Sequence, residues 1–241
     1  MARVAMVVGQ YPGMERERRE RVIMSYAGPG LEIGITSVPV TPYTHLTRAE
    51  VDSLGAVFID AFRQAEAEGY DAVVPLGTLD LGVWGGKSAV GIPVVGPTEA
   101  MLHMAAMVGD AFGLITYGPQ ASLVRALLAR YGMSDKVLGI RTSGYDLPDI
   151  AANETSMIDS FLTAGRELVE LGADVILPMG ISQCPVHISP EEVSRELGVP
   201  VVEGFGAPLR LAAAMADLRI VIGDHARQQP VFRSDKTGVS S

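Results

Sequence analysis

The side chains able to do chemistry near neutral pH are few in this sequence. There is one thiol, Cys184, and there are four imidazoles, His45, His103, His187 and His225. A thiol beside a helix N-terminus or an imidazole can be lowered to a reactive thiolate, and His187 follows Cys184 closely enough to do this. The Cys-x-x-His spacing also resembles half of a metal site, but two ligands without a second cluster do not complete one. No metal and no cofactor are expected. His103 falls within a helical stretch and reads as a packed residue. Two carboxylates, Asp80 and Glu203, lie just past short apolar runs. Burial there would raise their pKa toward that of a useful general base. Each position also suits a helix cap, Asp80 especially.

A second set of groups binds rather than titrates. Gly77 and Thr78 form one cluster, Gly180, Ile181 and Ser182 another, and Thr116 with Tyr117 approaches from the side. A strand that ends in such a turn aims backbone N–H groups and a hydroxyl at one spot, which suits a carboxylate. A lone turn of this kind carries little weight. Here the turn occurs twice.

The duplication organises the chain. Asp71-Ala72-Val73-Val74-Pro75-Leu76-Gly77-Thr78 is echoed by Asp174-Val175-Ile176-Leu177-Pro178-Met179-Gly180-Ile181. Each copy follows a helical pattern ending in Gly (Gly69, Gly172). Each precedes a second apolar run, Gly91-Ile92-Pro93-Val94-Val95 or Gly198-Val199-Pro200-Val201-Val202, and then an Ala/Met-rich helix, Glu99 to Val108 or Ala207 to Ala216. Short apolar runs alternating with helices predict buried parallel strands. In such sheets ligands sit beyond the carboxyl ends of the strands, where both Pro-x-Gly turns lie. The fold class is therefore α/β, two pseudo-symmetric parallel-sheet halves with the site in the cleft between them. The predicted division is 1–101 plus 207–241 as one domain and 102–206 as the other.

Further strands are predicted at Val4 to Val8, Leu31 to Val38, Gly113 to Thr116 and Val137 to Thr142. Thr47-Arg48-Ala49-Glu50 is a capping box that opens a helix to about Glu68. Helices also span Gln120 to Tyr131 and Asn153 to Leu171, and another starts at Ser189 with Pro190 at its first position. The charged run Met14 to Arg21 reads as a helix with a solvated face, a polyanion-binding patch being the alternative. Pro39 to Thr47 is a polar loop placed to fold over a site. The tail from Asp224 is polar and is expected to extend over a neighbour or lie loose. Trp84, the single Trp, suits either a pocket wall or the core.

Bulk properties narrow the function. A chain of 241 residues that is 48% hydrophobic and 20% charged can bury a substantial core. The net charge of −9 argues against nucleic acid or anionic membrane as partner. No apolar run approaches the roughly 18 residues that span a bilayer. The lone Cys and the absence of a signal-like start point to a cytoplasmic protein.

The best-defined segments are Gly91-Ile92-Pro93-Val94-Val95-Gly96-Pro97-Thr98-Glu99-Ala100, Gly113-Leu114-Ile115-Thr116-Tyr117, Gly172 to Leu177, and Leu197 to Val202. With them the chain resembles the aspartate/glutamate/hydantoin racemase superfamily, which includes maleate isomerases and arylmalonate decarboxylases. The similarity runs from about Ala65 to Met215 and is more specific for fold than for reaction. The resemblance implies a homo-oligomer-forming enzyme that acts on a small carboxylate or hydantoin-like substrate at the carbon next to a carbonyl. Racemases of that family carry a Cys after each repeat strand. Gly77 holds the first position here, and Met179 or Gly180 the second, so proton exchange between two thiols is unavailable. The turn Leu76-Gly77-Thr78-Leu79 is similar to the decarboxylase version, in which Gly replaces the first Cys and the following residues bind a carboxylate. Those enzymes keep the second Cys as proton donor. Cys184, four residues beyond Gly180, would serve only if its loop curled back; otherwise it is a buried structural Cys. Gln10 occupies a place where the family often puts a substrate-binding amide. The resemblance thus implies an isomerase, with a Cys184-dependent decarboxylase and a catalytically silent carboxylate-binding protein as the alternatives.

Overall fold

A computed structural model describes residues 1–39, 46–118 and 120–220. Most of the loop from Pro39 to Thr47, including His45, and the polar tail with His225 lie outside the described residues.

Two parallel three-stranded sheets form the frame. The first has the order β2-β1-β3, from β1 (Ala2–Val8), β2 (Leu31–Ser37) and β3 (Ala72–Pro75). The second has the order β5-β4-β6, from β4 (Phe112–Thr116), β5 (Val137–Thr142) and β6 (Val175–Pro178). The helices are α1 (Gly13–Ser25), α2 (Arg48–Ala67), α3 (Val83–Ala89), α4 (Pro97–Ala105), α5 (Ala121–Arg130), α6 (Leu147–Ile150), α7 (Glu154–Glu170), α8 (Pro190–Leu197) and α9 (Gly206–Asp217). The second apolar run of each repeat, expected as a strand, is reduced to a single parallel bridge, Val73 to Val94 and Ile176 to Val201. Pro93 and Pro200 lack the N–H a longer ladder needs, and each offers only its carbonyl, accepting from Val73 or Ile176.

The central strands are buried on both faces, as their continuous apolar sequences require. Val4, Met6 and Val8 of β1 meet Leu114 of β4 and Leu177 of β6 in one core that also takes in α4 and α9. Ala5, Val7 and Val73 pack outward under α2. Ile115 and Ile176 pack outward under α7 and α8. Each fully buried Val, Leu or Ile contributes roughly 1.5–3 kcal/mol. Helix α9 follows the second repeat but packs on β1 and β3, while α4 follows the first and packs on α9 and β6. The two halves thereby share their core.

Local signals behaved as the sequence predicts. The Thr47 hydroxyl accepts from the Glu50 N–H, and the Glu50 carboxylate accepts from the Thr47 N–H, so the capping box is complete. Ser189 caps α8 through the Glu192 N–H. The acidic residue opening each repeat pins the start of the neighbouring strand: Asp71 accepts from the Arg3 N–H, Asp174 from those of Asp110 and Ala111.

Helix α1 departs from expectation. It is not solvated along its whole charged face, because Glu15, Arg19 and Ile23 form a buried stripe at a spacing of four residues. His103, expected to be packed, is exposed on α4. Trp84 is 73% exposed, so it is not core, and the Arg130 guanidinium stacks on its ring.

Candidate active site

The two Pro-x-Gly turns share part of their bonding. The Leu76 N–H donates to Val7 at 2.7 Å, and its counterpart Met179 donates to Ile115 at 2.7 Å. The Gly77 carbonyl accepts from the Asp80 N–H, and the Gly180 carbonyl from the Gln183 N–H. Gly77 has φ +117°, a value open to glycine and strained for other residues. The turns meet directly, since the Thr78 hydroxyl donates to the Met179 carbonyl at 2.5 Å.

Beside this junction is a cavity of about 80 Å³, large enough for a small group rather than an extended ligand. Segments after β1 (Gly9, Gln10, Tyr11), after β3 (Leu76 to Leu79), after β4 (Tyr117, Gln120) and after β6 (Ile181, Ser182) line it. The carboxyl ends of all four inner strands therefore converge there, as expected for a ligand site in parallel sheets. Leu46, Leu54, Phe58, Leu81 and Leu147 supply apolar walls.

Of the residues expected to bind a ligand, Gln10, Gly77, Thr78, Leu79, Tyr117, Ile181 and Ser182 border this cavity. The Gln10 amide donates to the Pro39 carbonyl. Three do not border it. Thr116 turns its hydroxyl to the Arg141 carbonyl at 3.2 Å, Met179 is buried in the central core, and Gly180 is covered by the Tyr117 ring. A Cβ on Gly180 would stand 2.6 Å from Cδ1 of that ring.

The four acid–base candidates lie apart from the cavity. Cys184 is fully buried in the outer apolar cluster under α7 and α8. Burial, then the charges of Glu203 and Glu191, push its thiol well above its ordinary pKa. His187 is buried between two carboxylates, with Nδ1 3.1 Å from Glu154 and Nε2 3.6 Å from Glu15. Among the described residues no group of three or more His, Cys, Asp or Glu is arranged to hold a metal.

Asp80 and Glu203 are helix caps. Asp80 accepts from the Thr98 and Glu99 N–H groups at the start of α4, and from the Tyr131 hydroxyl at 2.7 Å. Glu203 accepts from the Phe205 and Gly206 N–H groups at the start of α9, and from the Tyr26 hydroxyl at 2.9 Å. Each tyrosine ends the helix that follows the first strand of the opposite half, so the tyrosines correspond between the halves, although the two carboxylates come from non-equivalent positions. Burial pushes Asp80 up to about 7 despite its three donors. Burial raises Glu203 as well, against the pull of its own donors. Both tyrosines are raised above their ordinary range, by burial and by the carboxylate each one meets.

Sequence reasoning overlooked Arg19, Tyr11, Gln120 and the apolar walls. Arg19 is 0% exposed. Its Nη1 donates to the carbonyl and carboxylate of Glu15, and its Nη2 donates to the Ser182 hydroxyl at 2.6 Å. Its guanidinium carbon is 4.1 Å from the centroid of the Tyr11 ring. Burial disfavours the Glu15 carboxylate. The Arg19 hydrogen bond and the charges of Arg19, His187 and Arg18 outweigh burial and hold that carboxyl below its ordinary pKa. The signal for Arg19 was the run Glu15, Arg19, Ile23, which places two charges on the stripe that Ile23 buries.

Residues 17–212 match the Asp/Glu/Hydantoin racemase family, and the chain belongs to that family. It is 28% identical over 161 residues to a hydantoin racemase of Pseudomonas sp. (strain NS671), covering 66% of this chain and 64% of that one, a little under two thirds of its length. It is 27% identical over 164 residues to a hydantoin racemase of Paenarthrobacter aurescens, covering 66% and 68%. In fold it is similar to the allantoin racemase from Klebsiella pneumoniae, with a TM-score of 0.80 at 21% identity over 98% of this chain and 97% of that one. It is also similar to a liganded mutant of arylmalonate decarboxylase, with a TM-score of 0.67 at 20% identity over 90% and 93%. The two parallel sheets and the cleft between them are thus the family's α/β architecture. No helix among the described residues is long and apolar enough to cross a membrane.

Proposed function

We propose that this protein binds a small carboxylate or hydantoin-like ligand in the cavity between the Gly77 and Gly180 turns and moves a proton at the carbon next to its carbonyl. The observation that carries this is the convergence of four strand ends on one cavity bordered by Thr78, Tyr117 and Ser182. Hydrogen-bond donors fixed at such a cavity, the Ser182 hydroxyl among them, stabilise the enolate that forms when that carbon loses its proton. The family relationship and the hydantoin racemase relatives support the reaction class.

The proton carrier is not a pair of thiols. Tyr117 is the candidate, because its ring occupies the space that a side chain on Gly180 would take and also borders the cavity. Proton NMR in D2O with 5-substituted hydantoins, 2-substituted carboxylates and malonates tests the proposal. Deuterium should enter at the α carbon, and Tyr117→Phe should abolish its entry while the ligand still binds. Exchange that survives Tyr117→Phe removes that residue from the mechanism, and no exchange with any compound rejects the reaction.

One observation favours a second reading, a binder without turnover. Cys184, His187, Asp80 and Glu203 are all engaged away from the cavity. In that case the NMR experiment shows shifts on binding and no deuterium. A decarboxylase using Cys184 would require the thiol to leave its apolar surroundings, and nothing in the geometry favours that.

A further inference from the structure

Arg19 is the largest fully buried side chain among the described residues, and it belongs to none of the groups that a reaction at the α carbon requires. Enclosing a guanidinium is costly unless its surroundings compensate, and compensation here is incomplete. Nη1 and Nη2 are satisfied, whereas Nε has no hydrogen-bond partner among the described residues. The side chain is also oriented. Its carboxylate partner Glu15 is not part of the cavity wall, while its two other contacts, the Ser182 hydroxyl and the Tyr11 ring, both are. Arg19 and Glu15 therefore form a buried dipole with its positive end toward the cavity. Arg18 and His187 sit on the Glu15 side, 3.6 Å from that carboxylate, and Arg18 also approaches Glu154 at 3.7 Å. The Glu15 carboxylate thus has the Arg18 guanidinium and the His187 ring on its far side, while the Arg19 Nη2 faces the Ser182 hydroxyl.

Because the Ser182 oxygen accepts from Arg19, the hydroxyl proton is left to point elsewhere, and it becomes a stronger donor for doing so. We propose that Arg19 is a positioning and charge-selecting residue, acting through Ser182 and beneath Tyr11 so that the cavity favours a ligand group bearing a full negative charge over its neutral isostere. The inference rests on the reading of the cavity as a ligand site and adds to it the charge state of the ligand. Arg19 itself touches no ligand. A purely structural Arg19, tying α1 to the second turn, would predict equal losses for charged and neutral ligands.

Calorimetric titration with malonate and with neutral malonamide separates the two roles. The parent protein should bind malonate more tightly. Ser182→Ala and Arg19→Gln should each weaken malonate binding about tenfold or more, as expected for a lost hydrogen bond to a charged group, and weaken malonamide binding only about twofold to fourfold, as for a neutral one. Arg19→Lys should recover part of the malonate affinity. Ser182→Ala leaves the buried ion pair in place, so it carries the test if Arg19→Gln does not fold. Equal weakening for both probes, or none for either, overturns the inference. Failure of the parent to bind either probe overturns the cavity assignment along with it. Selective binding without α-proton exchange in D2O rejects only the reaction.

Discussion

The Thr78 hydroxyl donates to the Met179 carbonyl at 2.5 Å, joining the turn of one repeat to the turn of the other. The Thr78 carbonyl accepts in turn from the Thr98 hydroxyl at 2.6 Å, which extends the link to the start of α4. Both threonines are buried, so neither bond is exchanged for one to water without cost.

Thr78→Val keeps the shape of the side chain and removes the donor. It leaves the Met179 carbonyl without that partner and should lower stability by about 1–3 kcal/mol, while Thr78→Ser should retain most of it. Urea unfolding midpoints for the three proteins check this. A Thr78→Val protein as stable as the parent would show that the junction does not depend on the hydroxyl.

The Asp80 clasp makes stability depend on pH. Its carboxyl is raised from 3.8 to about 7 in the folded state, so between those values the folded protein holds a proton that the unfolded chain releases. Stability from this source is complete below about pH 4 and is lost as pH rises through about 7. Glu203, also raised by burial, acts in the same direction. Asp80→Asn should flatten the decline in urea midpoint between pH 4 and 7, and the double variant with Glu203→Gln should flatten it further. A decline of unchanged slope in the double variant would refute the assignment.

Returning cysteines to the two turns should not produce a racemase. At Gly77 the positive φ imposes strain of about 1–3 kcal/mol on any other residue. At Gly180 a new Cβ meets the Tyr117 ring at 2.6 Å, and such overpacking typically costs about 1–3 kcal/mol. The Gly77→Cys, Gly180→Cys protein should melt earlier and racemise a 5-substituted hydantoin no faster than the parent. Adding Tyr117→Ala relieves the clash and should recover part of the Tm. Rapid racemisation by the double variant at the parent's Tm would count against this account.

Cys184 should be chemically silent. A thiol enclosed by the apolar side chains under α7 and α8, with its pKa raised by burial, reacts slowly with an aqueous disulfide reagent until the protein opens. Labelling should therefore follow unfolding in urea rather than occur in the native state. Cys184→Ala should cost roughly 1 kcal/mol, as for loss of one buried heavy atom, and leave any α-proton exchange intact. Prompt native-state labelling, or loss of exchange in that variant, would return Cys184 to the mechanism.

Much of what depends on neighbours in the chain was legible in the sequence, although the runs around Pro93 and Pro200 were read as strands and form only single bridges. The repeat of Asp, an apolar run and Pro-x-Gly identified two parallel strands and the turns beyond them, because strand burial and turn formation are properties of short segments. The Thr47–Glu50 box and the Ser189 cap were equally legible, since each acts over three residues. Placing a cavity at the strand ends followed from parallel topology. Tertiary structure alone decided which titratable groups reach that cavity. Asp80 and Cys184 stand three and four residues beyond the turn glycines Gly77 and Gly180, yet one turns back to cap α4 and the other enters the outer core. Arg19, in a run that looks solvated, reaches the cavity wall by a hydrogen bond to a residue 163 positions away. Such choices are made by competition among distant partners for burial and hydrogen bonds, and no local pattern records that competition.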